Sequence, residues 1–291
     1  MNTSILVTGA TGNFGKTTID FLLKKGIEAK NISALVRDEA KAVELAEKGI
    51  QIKVGDYDNY ESLVSAFQGI EKLLLVSGTD LVNRSTQQLN AVKAAKEAGV
   101  KHIVYTSFER KNETETSPIS FLAQSHIDTD NAIKSSGLSY TIMRNNLYLD
   151  VLPMFLGEKV LETGIYFPAG EGQAAYVSRN DLAEAAANIL STDGHENKEY
   201  ATNNIENYSM NEIAATLSLI TNKEVFYLNP NTEDYQAALT QAGVPAEYIG
   251  MFVGFGEAIK QGEFQSENSD LEKLLGRKPQ SLSEFLKQVY L

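Results

Sequence analysis

Gly9, Gly12 and Gly15 fall at three-residue intervals between a β-branched run, Ser4-Ile5-Leu6-Val7, and a stretch of helical periodicity over 14–25. A strand that passes into a helix through glycines has few foldable solutions, and the best supported is a nucleotide-binding β-turn-α unit. In that reading Gly9 lets the chain turn sharply out of the strand. Gly12 lets backbone approach a pyrophosphate, and Gly15 lets the helix pack close to the sheet. Thr11, Asn13 and Phe14 complete the loop, and the helix N-terminus offers free N–H groups and partial positive charge to phosphates. A P-loop is excluded: Gly15-Lys16-Thr17 lacks the glycine five residues upstream.

The rest of the first half repeats the unit. Strand-like runs over 32–36, 50–54, 72–76, 102–105 and 138–143 alternate with helical patterns over 39–48, 60–67, 85–98 and 121–135. Six β-α repeats predict an α/β fold, a Rossmann-type doubly wound parallel sheet with helices on both faces. Near residue 150 the rhythm breaks at Pro153, Gly157, Gly164, Pro168, Gly170 and Gly172. Helical patterns follow over 181–190, 210–220, 234–241, 247–260 and 283–289, with short strands over 166–167, 200–201 and 225–227. The expected division is a cofactor domain over 1–150 and a smaller, mostly helical substrate region over 151–291, with a return to the main sheet around 174–202. No flexible linker separates them, so the halves are expected to pack as one unit.

Composition removes several classes. The 291 residues contain no cysteine, which excludes disulfides, thiolate metal sites and cysteine nucleophiles. Three dispersed histidines, His102, His126 and His195, make no metal cluster, so no metal is expected. A net charge of −12 without a basic patch argues against nucleic acid. The longest compact apolar run, 73–76, is far too short to span a bilayer. The N-terminus enters a strand without a basic leader, so the expected compartment is the cytoplasm.

Arg37 follows the second strand. A site selective for NAD places a carboxylate there for the ribose hydroxyls; a 2′-phosphate calls for a guanidinium. NADP(H) is therefore the preferred cofactor, with NAD(H) the alternative because Asp38 is adjacent.

The loop spacing resembles that of the short-chain dehydrogenase/reductase group, in its extended and atypical branches. The Tyr-x-x-x-Lys pair of that group is absent from 121–136, whereas Asp130 and the run from Ser136 to Arg144 match the extended pattern. Anchoring on that run puts His126 at the Lys position and Leu122 at the Tyr position. The combination resembles the NmrA-like atypical branch, and within it the bacterial triphenylmethane reductases and type-2 NADPH quinone oxidoreductases. The matching segments run from Ile5-to-Gly15 and Ala34-to-Arg37 to Gly194-to-Lys198 and Ala242-to-Pro245.

The resemblance implies roles. Asp56 and Tyr57 would flank the adenine, and Val76, Ser77 and Gly78 would lie beside the cofactor. Asn145 and the backbone of 144–148 would lie under the nicotinamide. Thr106 and Ser107 would face the crevice. His126 would hold the nicotinamide ribose or relay a proton with a pKa near working pH, or else sit on a helix surface; His102 reads as packed and His195 as exposed. Tyr148, Phe155, Tyr176 and Phe252 are the candidates for stacking a flat substrate. Gly250, Gly254 and Gly256 mark either a mobile lid or close helix contact. The expected function is hydride transfer from NADPH to a quinone or similar planar conjugated acceptor. The alternatives are a non-catalytic dinucleotide-binding redox sensor and a reductase of other aromatic molecules such as triphenylmethane dyes. A monomer and a homodimer both fit.

Overall fold

Ile5, Leu6 and Val7 are all fully buried, which a strand achieves only at the centre of a sheet covered on both faces. The computed structural model describes residues 3–291; residues 1 and 2, the start of the expected N-terminal domain, lie outside the described residues. Strands β1 (Ile5–Val7), β2 (Ile32–Val36), β3 (Gln51–Val54), β4 (Lys72–Leu75), β5 (His102–Phe108) and β6 (Ser139–Asn145) alternate with helices α1 (Asn13–Lys24), α2 (Val43–Glu47), α3 (Tyr60–Phe67), α4 (Arg84–Glu97) and α5 (Ser120–Ser135).

Beyond β6 come α6 (Leu152–Leu156), α7 (Val160–Thr163), β7 (Ile165–Tyr166), β8 (Gln173–Ala174), α8 (Arg179–Ser191) and β9 (Lys198–Thr202). They are followed by β10 (Tyr208–Ser209), α9 (Met210–Thr221), β11 (Tyr227–Leu228), α10 (Thr232–Gln241), α11 (Ala246–Lys260), α12 (Leu271–Leu275) and α13 (Leu282–Tyr290).

The main sheet runs β3-β2-β1-β4-β5-β6-β9, parallel throughout. The order reverses between β1 and β4, and a crevice opens at such a reversal beyond the carboxyl ends of the strands. Alternation divides the core. Ile5 and Val7 face α1 and α8 with Ile19, Leu22, Leu182 and Ile189. Leu6, Leu73 and Leu75 face α3, α4 and α5 with Phe67, Val92 and Ile133.

Residues 151–291 contribute to two parts of the fold. Helix α8 packs on α1 and β9 pairs with β6, so residues 179–202 complete the sheet layer. The remainder forms a third core around Phe155, Phe167, Met210, Leu217, Phe252 and Leu282. Two capping boxes, Ser209 with Glu212 and Ser281 with Glu284, start its helices α9 and α13. Buried polar groups bind this region to the sheet. Ser266 donates to Glu109 Oε1 (3.0 Å), and Glu263 accepts from the amides of Lys111 (3.0 Å) and Asn112 (2.9 Å).

Candidate functional site

The glycine loop leaves β1 at Thr8 and enters α1 at Asn13. Gly9 adopts φ +58°, a left-handed conformation that suits glycine. A Cβ on Gly15 would stand 2.4 Å from the Gly9 carbonyl oxygen, so only glycine permits this helix-to-loop contact. Gly12 caps α1 without any side-chain hydrogen bond, and Thr11, Gly12 and Asn13 are exposed. The amides of the first turn therefore face outward for an anion. Phe14 is buried against Ile19 and Leu22, so only its backbone serves the loop.

Hydroxyls stitch the strand ends beside this loop. Thr8 Oγ1 accepts from the Val76 amide (2.8 Å), and Thr106 Oγ1 accepts from the Ser77 amide (2.8 Å). Tyr57 donates to the Val76 carbonyl (3.2 Å), and burial pushes its phenol pKa up. The Gly78 amide donates to Gln88 Oε1 (3.2 Å). Val76, Ser77 and Gly78 stay partly open, as do Asp56 and Tyr57 at the end of β3. Arg37 projects into solvent at the end of β2. Its neighbour Asp38 caps the turn Glu39–Ala42, accepting from the Ala40 amide at 3.0 Å. The carboxylate that blurred the cofactor preference is thus occupied locally.

The far side of the crevice differs from expectation in several respects. Ser107 is buried and donates to Asp130 Oδ2 (3.0 Å), which Arg110 also holds (2.9 Å). Its hydroxyl and that of Thr106 are committed to the protein. Asn145 is buried too: its amide donates to Tyr148 Oη (3.3 Å) and its carbonyl accepts from Thr202 (2.7 Å). It fixes Tyr148, whose half-buried ring lies under Arg179 at 5.1 Å.

His126 is 4% exposed and shares a hydrogen bond from Nδ1 to Tyr105 Oη (2.7 Å). Its ring lies 5.7 Å from that of Phe108. Burial first, then the charges of Arg84 and Arg110, hold its pKa well below the ordinary 6.5. This corrects both the surface placement and the pKa near working pH: His126 is a buried, neutral imidazole. His102 is packed as read, whereas His195 is half-buried between Tyr200 (2.9 Å) and Thr192 (2.9 Å).

Of the four aromatic candidates, Tyr148 is half-buried beneath Arg179. Phe155, Tyr176 and Phe252 are buried in the third core, where Phe155 stacks on Phe167 at 5.0 Å. Aromatic residues at helical spacing read the same whether they fill a core or line a pocket. The glycines of α11 are close contacts at two positions. A Cβ on Gly254 would lie 2.8 Å from the Pro118 carbonyl oxygen, and one on Gly256 would lie 2.8 Å from Pro168.

Arg84 and Tyr105 escaped the sequence reading. Arg84, the first residue of α4, is 6% exposed and its Nε has no partner. Nothing in a polar segment such as 83–88 distinguishes it from a solvated arginine. Strand alternation does place Tyr105 on one sheet face, and β5 was expected to reach it. A cavity of about 600 Å³ lies between Lys25, Thr192, His195 and Lys273; the glycine loop takes no part in it.

The exposed start of α1, the glycines that admit close approach and the exposed Arg37 fit a phosphorylated dinucleotide. The chain matches the NmrA-like family over residues 1–286. It is 36% identical over 287 residues to Quinone oxidoreductase 2 of Escherichia coli K12, covering 98% of each chain. It is 30% identical to the NAD(P)H azoreductase of Xenophilus azovorans, covering 97% of this chain and 96% of that one. The structure of a Citrobacter triphenylmethane reductase complexed with NADP(H) superposes with a TM-score of 0.91 at 38% identity, covering 98% of this chain and 99% of that one.

Proposed function

The chain belongs to the NmrA-like family, and from that premise we propose that it is an NADPH-dependent reductase of quinones or similar planar conjugated acceptors. The observation that carries the cofactor is the pairing of an uncapped glycine-loop helix with a free Arg37 one strand away. The acceptor class rests on the relatives, which are named for quinone, azo-compound and triphenylmethane reduction.

When bound, NADPH supplies a hydride together with its electron pair. The chain's part is to bind and orient. The amides of Asn13, Phe14 and Gly15 receive the pyrophosphate, and Arg37 receives the 2′-phosphate. Asp56 and Tyr57 border the adenine. The segment Val76-Ser77-Gly78 borders the ribose and nicotinamide, with Thr106 holding its backbone. Tyr148, fixed by Asn145, forms one wall where a flat acceptor stacks.

No Tyr-x-x-x-Lys pair is needed for this chemistry. A conjugated acceptor that gains hydride becomes a stabilised anion, which takes its proton from water. His126, neutral and tied to Tyr105, then holds the crevice wall rather than supplying the proton. Most of the acceleration comes from proximity and orientation.

Steady-state oxidation of NADPH with 1,4-benzoquinone, in wild type and Arg37→Ala, tests the assignment. The expected result is quinone-dependent turnover, with the Michaelis constant for NADPH raised roughly tenfold or more in the variant and kcat nearly kept. An unchanged Michaelis constant would remove Arg37 from the 2′-phosphate. NADPH binding without turnover on any quinone would favour a redox-sensing role.

A further inference from the structure

Helix α4 begins Arg84-Ser85-Thr86-Gln87-Gln88-Leu89-Asn90, a run that reads as a solvated face. The fold packs this helix between α3 and α5 instead, and Gln88 is fully buried there. A buried primary amide is tolerated only where its donor and its acceptor are both met. Gln88 meets them on two different elements. Its Oε1 accepts from the Gly78 amide (3.2 Å). Its Nε2 donates to Thr129 Oγ1 (2.8 Å) and, at longer range, to the Ser125 carbonyl (3.4 Å), both on α5. Thr129 gives its own proton to the Ser125 carbonyl (2.7 Å), so towards Gln88 it accepts. Only one orientation of the amide satisfies all these partners.

What Gln88 holds is the strip 76–78 at the end of β4. Three consecutive amides of that strip go to side chains from three elements. Thr8, just past β1, takes Val76 (2.8 Å); Thr106 of β5 takes Ser77 (2.8 Å); Gln88 of α4 takes Gly78. The strip touches the glycine loop, since a Cβ on Gly9 would stand 3.4 Å from Val76 Cβ. It also lies where the strand order reverses between β1 and β4. The residues beside Gln88 hold the adjoining border: Gln87 Nε2 donates to both carboxylate oxygens of Asp58 (3.1 Å each), and Asn90 donates to the Tyr57 carbonyl (3.2 Å).

We propose that Gln88 is a positioning residue for hydride transfer, locking the strip 76–78 to α5. The inference rests on the reductase reading and adds to it a residue that touches neither cofactor nor acceptor. Thr8 and Thr106 tie the strip to its neighbours in the sheet. Gln88 ties it to the helix layer, at Gly78, which has no side chain of its own to anchor it. Without that tie the strip keeps its place at Val76 and swings at Gly78. The phosphates are held elsewhere, by the glycine loop and Arg37. A loosened strip therefore costs orientation at the nicotinamide rather than affinity for the dinucleotide.

The test compares wild type with Gln88→Met, which keeps the length and removes both ties, and Thr129→Val, which removes only the tie to α5. Three properties are read: amide exchange at Gly78 in the free protein, the affinity and fluorescence anisotropy of bound NADPH, and kcat and KM for NADPH with 1,4-benzoquinone. In Gln88→Met the Gly78 amide should exchange about tenfold faster and the anisotropy of the bound nicotinamide should fall. Its kcat should drop about tenfold, with KM and affinity for NADPH kept within about threefold. That split is the reverse of the one expected for Arg37→Ala. Thr129→Val should move each property the same way by less, and should add nothing on top of Gln88→Met. Thr129→Val carries the test if Gln88→Met does not fold. A role in packing alone would lower the melting temperature and leave kcat and anisotropy unchanged; that result in a folded variant overturns the proposal. So does a raised KM with kcat kept, which would assign Gln88 to binding. Wild type that binds NADPH without turnover defeats the reductase reading instead, and then a fall in anisotropy in the variants supports the positioning role while an unchanged value overturns it.

Discussion

His102 shows how one residue carries a pH dependence. Its Nε2 lies 2.8 Å from Thr141 Oγ1, which itself donates to the His195 carbonyl (2.6 Å). The hydroxyl therefore accepts from the imidazole, leaving Nδ1 buried without a partner. A second proton on Nδ1 would find no acceptor, and burial, helped by Lys72, lowers the pKa from 6.5 to about 4. The unfolded chain binds that proton near pH 6.5 and the folded chain does not, so stability is full above pH 6.5 and falls as the pH drops towards 4. The loss from this residue is on the order of 3 kcal/mol. Urea unfolding across that range should show the decline, and His102→Gln should make it shallower; an unchanged slope would contradict the account. The same scale shows what sequence spacing hides. Ser107 and Asn145 were legible as crevice residues, but their partners Asp130 and Thr202 are 23 and 57 positions away. Their hydroxyl and amide are spent on contacts that only the fold creates.

At the scale of elements, helix α11 separates two kinds of glycine. Gly250 is exposed with nothing within 4 Å of an added Cβ, whereas Gly254 meets backbone at 2.8 Å. Gly250→Ala should raise stability by up to ~1 kcal/mol through helix propensity. Gly254→Ala should lower it by about 1–3 kcal/mol through forced displacement of the Pro118 segment. Thermal melts of the two variants are expected to move in opposite directions; parallel shifts would contradict this reading of close contact. Such contacts were half legible: the glycines were visible, the opposing Pro118 was not. For β2 and α3 the expected bounds of 32–36 and 60–67 coincide with the structure. The helix expected over 39–48 is instead a tight turn at Glu39–Ala42 followed by α2, because Asp38 caps the turn first. Strands β5 and β6 outrun their expected ends at 105 and 143, since Thr106, Ser107 and Arg144 look like loop residues until their internal partners appear.

Over the whole molecule, charge is distributed against the net balance. A chain of net charge −12 places Arg37 just past β2, Arg84 at the start of α4 and Arg179 at the start of α8, all on the side of the parallel sheet where its strands end. The glycine loop and Arg37 announced the cofactor in the sequence. Phe155, Tyr176 and Phe252, the other candidates for stacking, are buried in the third core. The account therefore stands on cofactor selection and hydride transfer. Initial rates of quinone-dependent oxidation of NADPH and NADH, measured side by side on the wild-type protein with 1,4-benzoquinone, test both together. The account predicts rapid turnover with NADPH and a kcat/KM for NADPH at least about tenfold above that for NADH. Equal or better use of NADH, or no quinone-dependent oxidation of either, would contradict it.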